Sequence, residues 1–244
     1  MKLCKFSEPE YQSLVDLLVN RSSMDLFTQD EVVRKILNDV KEKGDEVVLR
    51  LTHQFDHHTL PLEKIRVTSD EIKAAYKEIS QEELDALREA ANRIRFFHEK
   101  QKQDSWTYEE EGIVLGQMVK PLEIAGIYVP GGKASYPSSV LMNAIPAKVA
   151  GVERIVMCSP FPGGQTRPHV LVAADLAGVT EIYKIGGAQA VAAMAFGTDT
   201  IPRVDKIVGP GNIFVALAKR LVFGVVDIDM IAGPSEILIV ADHS

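Results

Sequence analysis

From Pro121 onward the chain repeats one rhythm: a short aliphatic run, a turn with glycine in it, then a helix-forming stretch. Strands are expected at 124–129, 154–158, 181–185 and 206–208, with 225–228 as a weaker fifth. Helices are expected at 138–150, 168–177, 188–196 and 212–223, the first kinked by Pro146 or ending near it. Units of roughly 25–30 residues with glycine behind each strand specify βα repeats. The fold class that follows is α/β. It is a Rossmann-like, mainly parallel sheet flanked by helices, preceded by a mainly helical N-terminal region.

That N-terminal region differs in composition. Residues 1–118 hold 17 Lys/Arg, 24 Asp/Glu and 3 Gly, whereas 119–244 hold 10, 10 and 14. Charged-surfaced helices fit the first part, and a buried sheet with tight turns fits the second. Capping-box spacing occurs three times, at Thr28–Glu31, Thr68–Glu71 and Ser80–Glu83. The first box opens a helix carrying Val32, Val33, Ile36, Leu37 and Val40, with Gly44 as its stop. A second helix covers 45–55, and Asp56-His57-His58 falls in the loop behind it. The third box opens a long helix to about Lys102. A hairpin follows, 106–109 and 113–119, turning at Glu111-Gly112. Three segments are expected: 1–118, helical and ending in the hairpin; 119–235, a Rossmann-like domain; and 236–244, the first strand of a further domain.

Net charge is −7, so no basic surplus exists for nucleic acid or an anionic membrane. The N-terminus has no apolar signal region, and no window is long and apolar enough to span a bilayer. The two cysteines, Cys4 and Cys158, make neither a disulfide framework nor a thiolate metal cluster, which points to a reducing, cytoplasmic setting. Cys158 reads as a small core residue at a strand end. Adjacent His57 and His58 diverge and are poor metal ligands. His98 reads as packing or capping, and His53 and His169 have no obvious partner. No Ser-His-Asp or Cys-His arrangement is legible.

The chemistry sits in the turns. Tyr128-Val129-Pro130-Gly131-Gly132, Gly186-Gly187-Ala188-Gln189 and Gly209-Pro210-Gly211-Asn212 each follow a strand. Glycine lets the backbone approach a ligand closely. The last two turns open helices whose N–H groups suit an anion such as a pyrophosphate. Gln189 and Asn212 add amides able to donate and accept, and Tyr128 offers a ring face or a hydroxyl. Any one such turn is common in α/β sheets; three at the ends of successive strands, two with an amide in the same relative place, point to a shared cleft. Neither GxGxxG nor GxxxxGK[ST] occurs, so the turns alone indicate only a ligand cleft suited to a nucleotide.

Near the C-terminus, the apolar run 228–231 stops at Gly233-Pro234. Ser235 and Glu236 follow, and Ile237 to Val240 then read as a buried strand. Ser235 is placed at a strand mouth, as an N-cap or as a contact to a substrate group. The chain stops two residues after Asp242, and more protein is expected beyond it.

At these residues the chain resembles histidinol dehydrogenases, from about Asp30 to Asp242. The resemblance is carried by GIYVPGGKASYPSSVLMNAIPAKVAGV from Gly126, IGGAQAVAAMAFGT from Ile185, KIVGPGNIFVALAKR from Lys206 and IDMIAGPSEILIVAD from Ile228. It implies two incomplete Rossmann-like domains in an intertwined homodimer. The implied reaction takes L-histidinol through the aldehyde to L-histidine, reducing two NAD. It further implies NAD contacts at Tyr128, Gln189 and Asn212, and a substrate contact at Ser235. The family's zinc ligands and its Glu-His acid/base pair come later than the segment matching 237–242. The resemblance therefore places no catalytic residue and no zinc ligand in this stretch, and implies that it is inactive alone. Two rivals stand beside it: a catalytically silent nucleotide-binding module, and an aldehyde-dehydrogenase-like enzyme using Cys158 as thiol nucleophile.

Overall fold

The computed structural model describes residues 5–20, 26–131, 135–231 and 239. Five helices come first: α1 Glu10–Asn20, α2 Leu26–Lys43, α3 Asp45–Asp56, α4 Ser69–Glu78 and α5 Gln81–Glu99. A hairpin follows, β1 Trp106–Glu110 and β2 Ile113–Gln117. The alternating part then runs β3 Ile124–Tyr128, α6 Pro137–Val149, β4 Arg154–Cys158, α7 Pro168–Ala177, β5 Glu181–Tyr183, α8 Gly187–Phe196, β6 Lys206–Val208, α9 Ile213–Val222 and β7 Asp227–Ile228.

The main sheet has the order β5-β4-β3-β6-β7, with every pair parallel. The α/β class expected from the repeats is what the chain adopts. From β3 the chain steps outward to β4 and β5, then crosses back to β6 and β7. The order therefore reverses between β3 and β6. A crevice forms at the carboxyl ends of the strands where such a reversal occurs.

Strand residues alternate between two cores, as the pleat requires. Tyr128, Val156, Cys158, Tyr183 and Ile207 face α8 and α9, and α2 and α3 cover those helices. Ala125, Ile127, Ile155, Met157 and Ile182 face α6 and α7, which α4 and α5 cover in turn. The inner helices are apolar on several sides because they are buried on several sides. In α8 every residue from Ala188 to Ala195 is buried. Its alanines bring the backbone so near β3 that a Cβ on Gly126 would lie 2.9 Å from Met194 Sδ. The amphipathic N-terminal helices thus close the outer faces of the same two cores.

Two of the three capping boxes form with both reciprocal hydrogen bonds, at Thr68/Glu71 and Ser80/Glu83. At the third site α2 already begins at Leu26, which puts Thr28 inside the helix rather than at its start. Asp30 instead pairs with Arg34 one turn on, and with Arg220 of α9. Helix α1 carries no such start signal and was not expected. Strand β5 is shorter than 181–185 because the Lys184 N–H donates to Ile65 O and leaves the ladder. Strand β7 loses residues 225–226 to a turn in which both N–H groups donate to Val222 O. The long helix ends at Glu99 rather than Lys102, closed by Lys100 N–H donating to Phe97 O. Pro146 lies inside α6, one turn from its end.

The hairpin turns as expected, with Glu111 (φ 51°) and Gly112 (φ 81°) both left-handed, the geometry that matches strand twist. All ten of its strand residues are exposed. No helix among the described residues is long and apolar enough to cross a membrane.

The α5 cap carries a pH signature. The Ser80 N–H, then His169, hold the Glu83 carboxyl down to about 2, from an ordinary 4.5. A depressed carboxyl stabilises the fold above its unfolded pKa, and that contribution is lost as pH falls through the folded value. Thermal unfolding midpoints should therefore decline between pH 4.5 and about 2. Glu83→Gln should flatten that decline; an unchanged slope would remove Glu83 from the acid response.

Candidate functional site

At the carboxyl edge of the sheet lies a cavity of about 620 Å³. Its wall is built from the turns behind β3, β4, β5 and β6, with α2 and α3 closing one side. Tyr128, Gln189 and Asn212 all line it. The three amide- or phenol-bearing turns therefore share one chamber beside the β3/β6 reversal.

Each of the three is more constrained than its residue type suggests. Tyr128 is 4% exposed, and its hydroxyl accepts from the Gly187 N–H at 3.0 Å. Burial pushes the phenol up to about 12, so it stays protonated near neutrality and keeps its O–H to donate. Gln189 is 1% exposed, and its Oε1 is enclosed without a hydrogen-bond partner. Gly187 sits against that oxygen at φ +68°, where a Cβ would come within 2.6 Å. Asn212 caps α9: its Oδ1 accepts from the Val215 N–H at 3.1 Å. One lone pair of that oxygen is engaged by the helix; its second lone pair and the NH₂ donor remain for a ligand.

The turns also fit into one another. A Cβ on Gly131 would fall 2.3 Å from Pro160 O, and one on Gly209 would fall 2.2 Å from Tyr128 O. The β3 turn is thus pressed between the β4 and β6 turns. Gly209 sits at φ +115°, a conformation closed to other residues.

Residues outside the turns contribute as well. Asp56, read from sequence as loop, is the last residue of α3 and lines the cavity. Its Oδ2 is enclosed without a partner, and burial raises its carboxyl. Val32 and Ile36 of α2 and half-exposed Phe55 join it. No spacing marks these residues; the docking of α2 and α3 onto α8 brings them there.

Other sequence candidates fall elsewhere. Cys158 is fully buried, and burial pushes its thiol far up, so it supplies no thiolate nucleophile. His169 has a partner after all: its Nε2 lies 3.0 Å from Glu83 Oε1. So does His53, whose Nδ1 lies 3.1 Å from Thr59 Oγ1. His98 meets Gln101 at the end of α5. No group of three or more His, Cys, Asp or Glu among the described residues could hold a metal ion, so these residues do not fit a zinc site. Gly132, Ser235 and the expected strand over 236–244, apart from the exposed Ile239, lie outside the described residues.

The sequence profile of histidinol dehydrogenase matches residues 19–244. The chain belongs to the histidinol dehydrogenase family. The histidinol dehydrogenase of Syntrophotalea carbinolica is 55% identical over 245 residues, covering 100% of this chain and 57% of that protein. That of Geobacter sulfurreducens is 59% identical over 217 residues, covering 88% of this chain and 51% of the relative. The crystal structure of histidinol dehydrogenase from Elizabethkingia anophelis superposes with a TM-score of 0.80 at 43% identity. That match covers 84% of this chain and 48% of the other. The chain spans about half the length of the histidinol dehydrogenases it matches. Of the four sequence blocks that carry the family resemblance, three furnish β3 with α6, α8, and β6 with α9. These are the elements whose turns face the cavity.

Proposed function

We propose that this chain supplies the NAD cradle of a histidinol dehydrogenase, a cytoplasmic, homodimeric oxidoreductase. That enzyme takes L-histidinol through the aldehyde to L-histidine with two NAD. The observation that carries the proposal is the meeting of Tyr128, Gln189 and Asn212 in one cavity at the sheet's order reversal. The N-terminal ends of α8 and α9 adjoin the same cavity, and their dipoles favour a pyrophosphate. The Asn212 NH₂ and the Tyr128 O–H are donors for ribose or carboxamide oxygens. The enclosed, unpartnered Gln189 Oε1 is an acceptor awaiting one. NAD, when bound, provides the hydride acceptor; the protein's part is to hold it in position.

Alcohol oxidation also needs a base for the hydroxyl proton. The cavity's acid–base groups are phenols and the single carboxyl of Asp56, and no metal-ligating group is found among the described residues. Residues 1–244 by themselves are therefore proposed to bind NAD and to lack histidinol oxidation, with zinc and Ser235 belonging to the substrate side. The reading of the chain as a silent nucleotide-binding module predicts the same binding. It differs in predicting no activity even when the chain is joined to the rest of a histidinol dehydrogenase.

Calorimetric titration with NAD tests the cradle, and Asn212→Asp isolates the ligand contact. That variant keeps the capping oxygen and loses the NH₂ donor. Its helix stability should hold, while NAD affinity falls about tenfold. Equal affinity in the variant, or no binding by the parent chain, would sink the cradle. Zinc-dependent NADH production by the purified chain would overturn the claim that it is inactive alone.

A further inference from the structure

Behind the Gly209-Pro210-Gly211 turn sits an ion pair, buried on its lysine side and open to solvent on its aspartate side, that none of the foregoing uses. Lys219 of α9 is 4% exposed. Its Nζ donates to Gly209 O at 3.0 Å and is ion-paired with Asp229 Oδ1. The other oxygen of Asp229 accepts from the Gly209 N–H at 2.8 Å. Both backbone polar groups of one residue are thus held by two oppositely charged side chains, which also hold each other. Asp229 further accepts from the Met230 N–H at 2.7 Å, fixing the first step of the chain beyond β7.

The residue held in this way is the one at φ +115° against the Tyr128 carbonyl. Three residues later comes Asn212, which the same helix fixes as its N-cap. The turn is therefore gripped from three sides: Tyr128 in front, Lys219 and Asp229 behind, Asn212 at the exit. An ion pair open to solvent on its Asp229 side contributes little net stability. A backbone conformation closed to most residues persists only where its surroundings over-determine it.

We propose that Lys219 and Asp229 are positioning residues, a clamp that fixes Gly209 and through it sets Tyr128 and Asn212 at the spacing the ligand requires. The clamp rests on the NAD cradle for its purpose but not for its geometry. It acts on the turn whether or not nucleotide is present.

The experiment compares the 244-residue chain with the double variant Lys219→Met/Asp229→Ala by amide hydrogen exchange without ligand and by calorimetric titration with NAD. Removing both charges together avoids stranding either one. The expected result is at least about tenfold faster exchange at the Gly209 amide, with core amides of β3 and the thermal midpoint little changed. NAD affinity should fall by about tenfold or more, the scale on which misplaced contacts act. Unchanged exchange at Gly209 would overturn the clamp outright. So would a uniform rise across β3 with a lowered midpoint, since that marks a merely structural pair. Faster exchange at Gly209 with a parent chain that never bound NAD would keep the clamp and remove the cradle. Faster exchange with undiminished NAD affinity would show that the turn moves without consequence for the ligand, and would also overturn the proposal.

Discussion

Gly209→Ala should cost the protein at least about 3 kcal/mol and abolish nucleotide binding together. Two penalties coincide there. The backbone is at φ +115°, where an L side chain is strained by about 1–3 kcal/mol. The new methyl would also sit 2.2 Å from Tyr128 O, a backbone atom that cannot swing aside as a side-chain tip could. Relief requires β3 and the β6 turn to separate, and that opens the cavity wall. Gly163→Ala is the matched control. It carries the same kind of strain, at φ +62°, with nothing within 4 Å of the added atom. Its loss should stay near 1 kcal/mol with nucleotide affinity unchanged. Urea unfolding and NAD titration of both variants make the measurement. Equal losses at 209 and 163 would mean that the contact with Tyr128 carries no energy.

The second large effect belongs to the core. Ile127 is fully buried on the central strand, with β4 on one side and β6 on the other. Ile127→Ala removes its methyls and leaves a void that two flanking strands cannot close. About 3–4 kcal/mol is expected, a large share of a domain's typical 5–15 kcal/mol. Val114→Ala in the hairpin removes similar atoms where the side chain is 65% exposed, and should change stability by less than about 0.5 kcal/mol. Chemical denaturation of the pair decides it. A loss below about 1 kcal/mol at Ile127 would place the stabilising core outside the sheet.

The parallel sheet was legible because its strands are uniformly apolar and its turns carry glycine for geometric reasons. Strands over 154–158 and 206–208 and the helix over 168–177 match residue for residue. The Thr68 and Ser80 boxes were legible because a capping box is a local device, complete within four residues. The Thr28 site has the same letters, yet α2 already begins at Leu26 and Thr28 falls inside the helix. Asp30 beside it pairs with Arg220, 190 residues away, a tie that no local pattern reveals. The candidate site divides likewise. Tyr128, Gln189 and Asn212 announce themselves by standing beside glycines at strand ends. Asp56, Val32 and Ile36 reach the cavity by helix docking, which leaves no mark in spacing. Lys219 reads as an ordinary basic residue near a helix C-terminus, and only its burial against Gly209 shows otherwise.

The cavity wall contains the chain's early and late parts at once. Residues of α2 and α3 face residues of α8 and α9, and the ties between these layers span long stretches of sequence. The Thr200 hydroxyl donates to Asp45 Oδ2 across 155 residues, and Arg220 reaches Asp30 across 190. Contacts so distant form late, because their loop-closure entropy must be met before they return any energy. The chamber exists only when α2 and α3 have docked on α8 and α9. A small molecule that fills it draws on the whole fold. At a hundred times its dissociation constant, such a ligand would add about 2.7 kcal/mol to a native state that it is able to recognise only when finished.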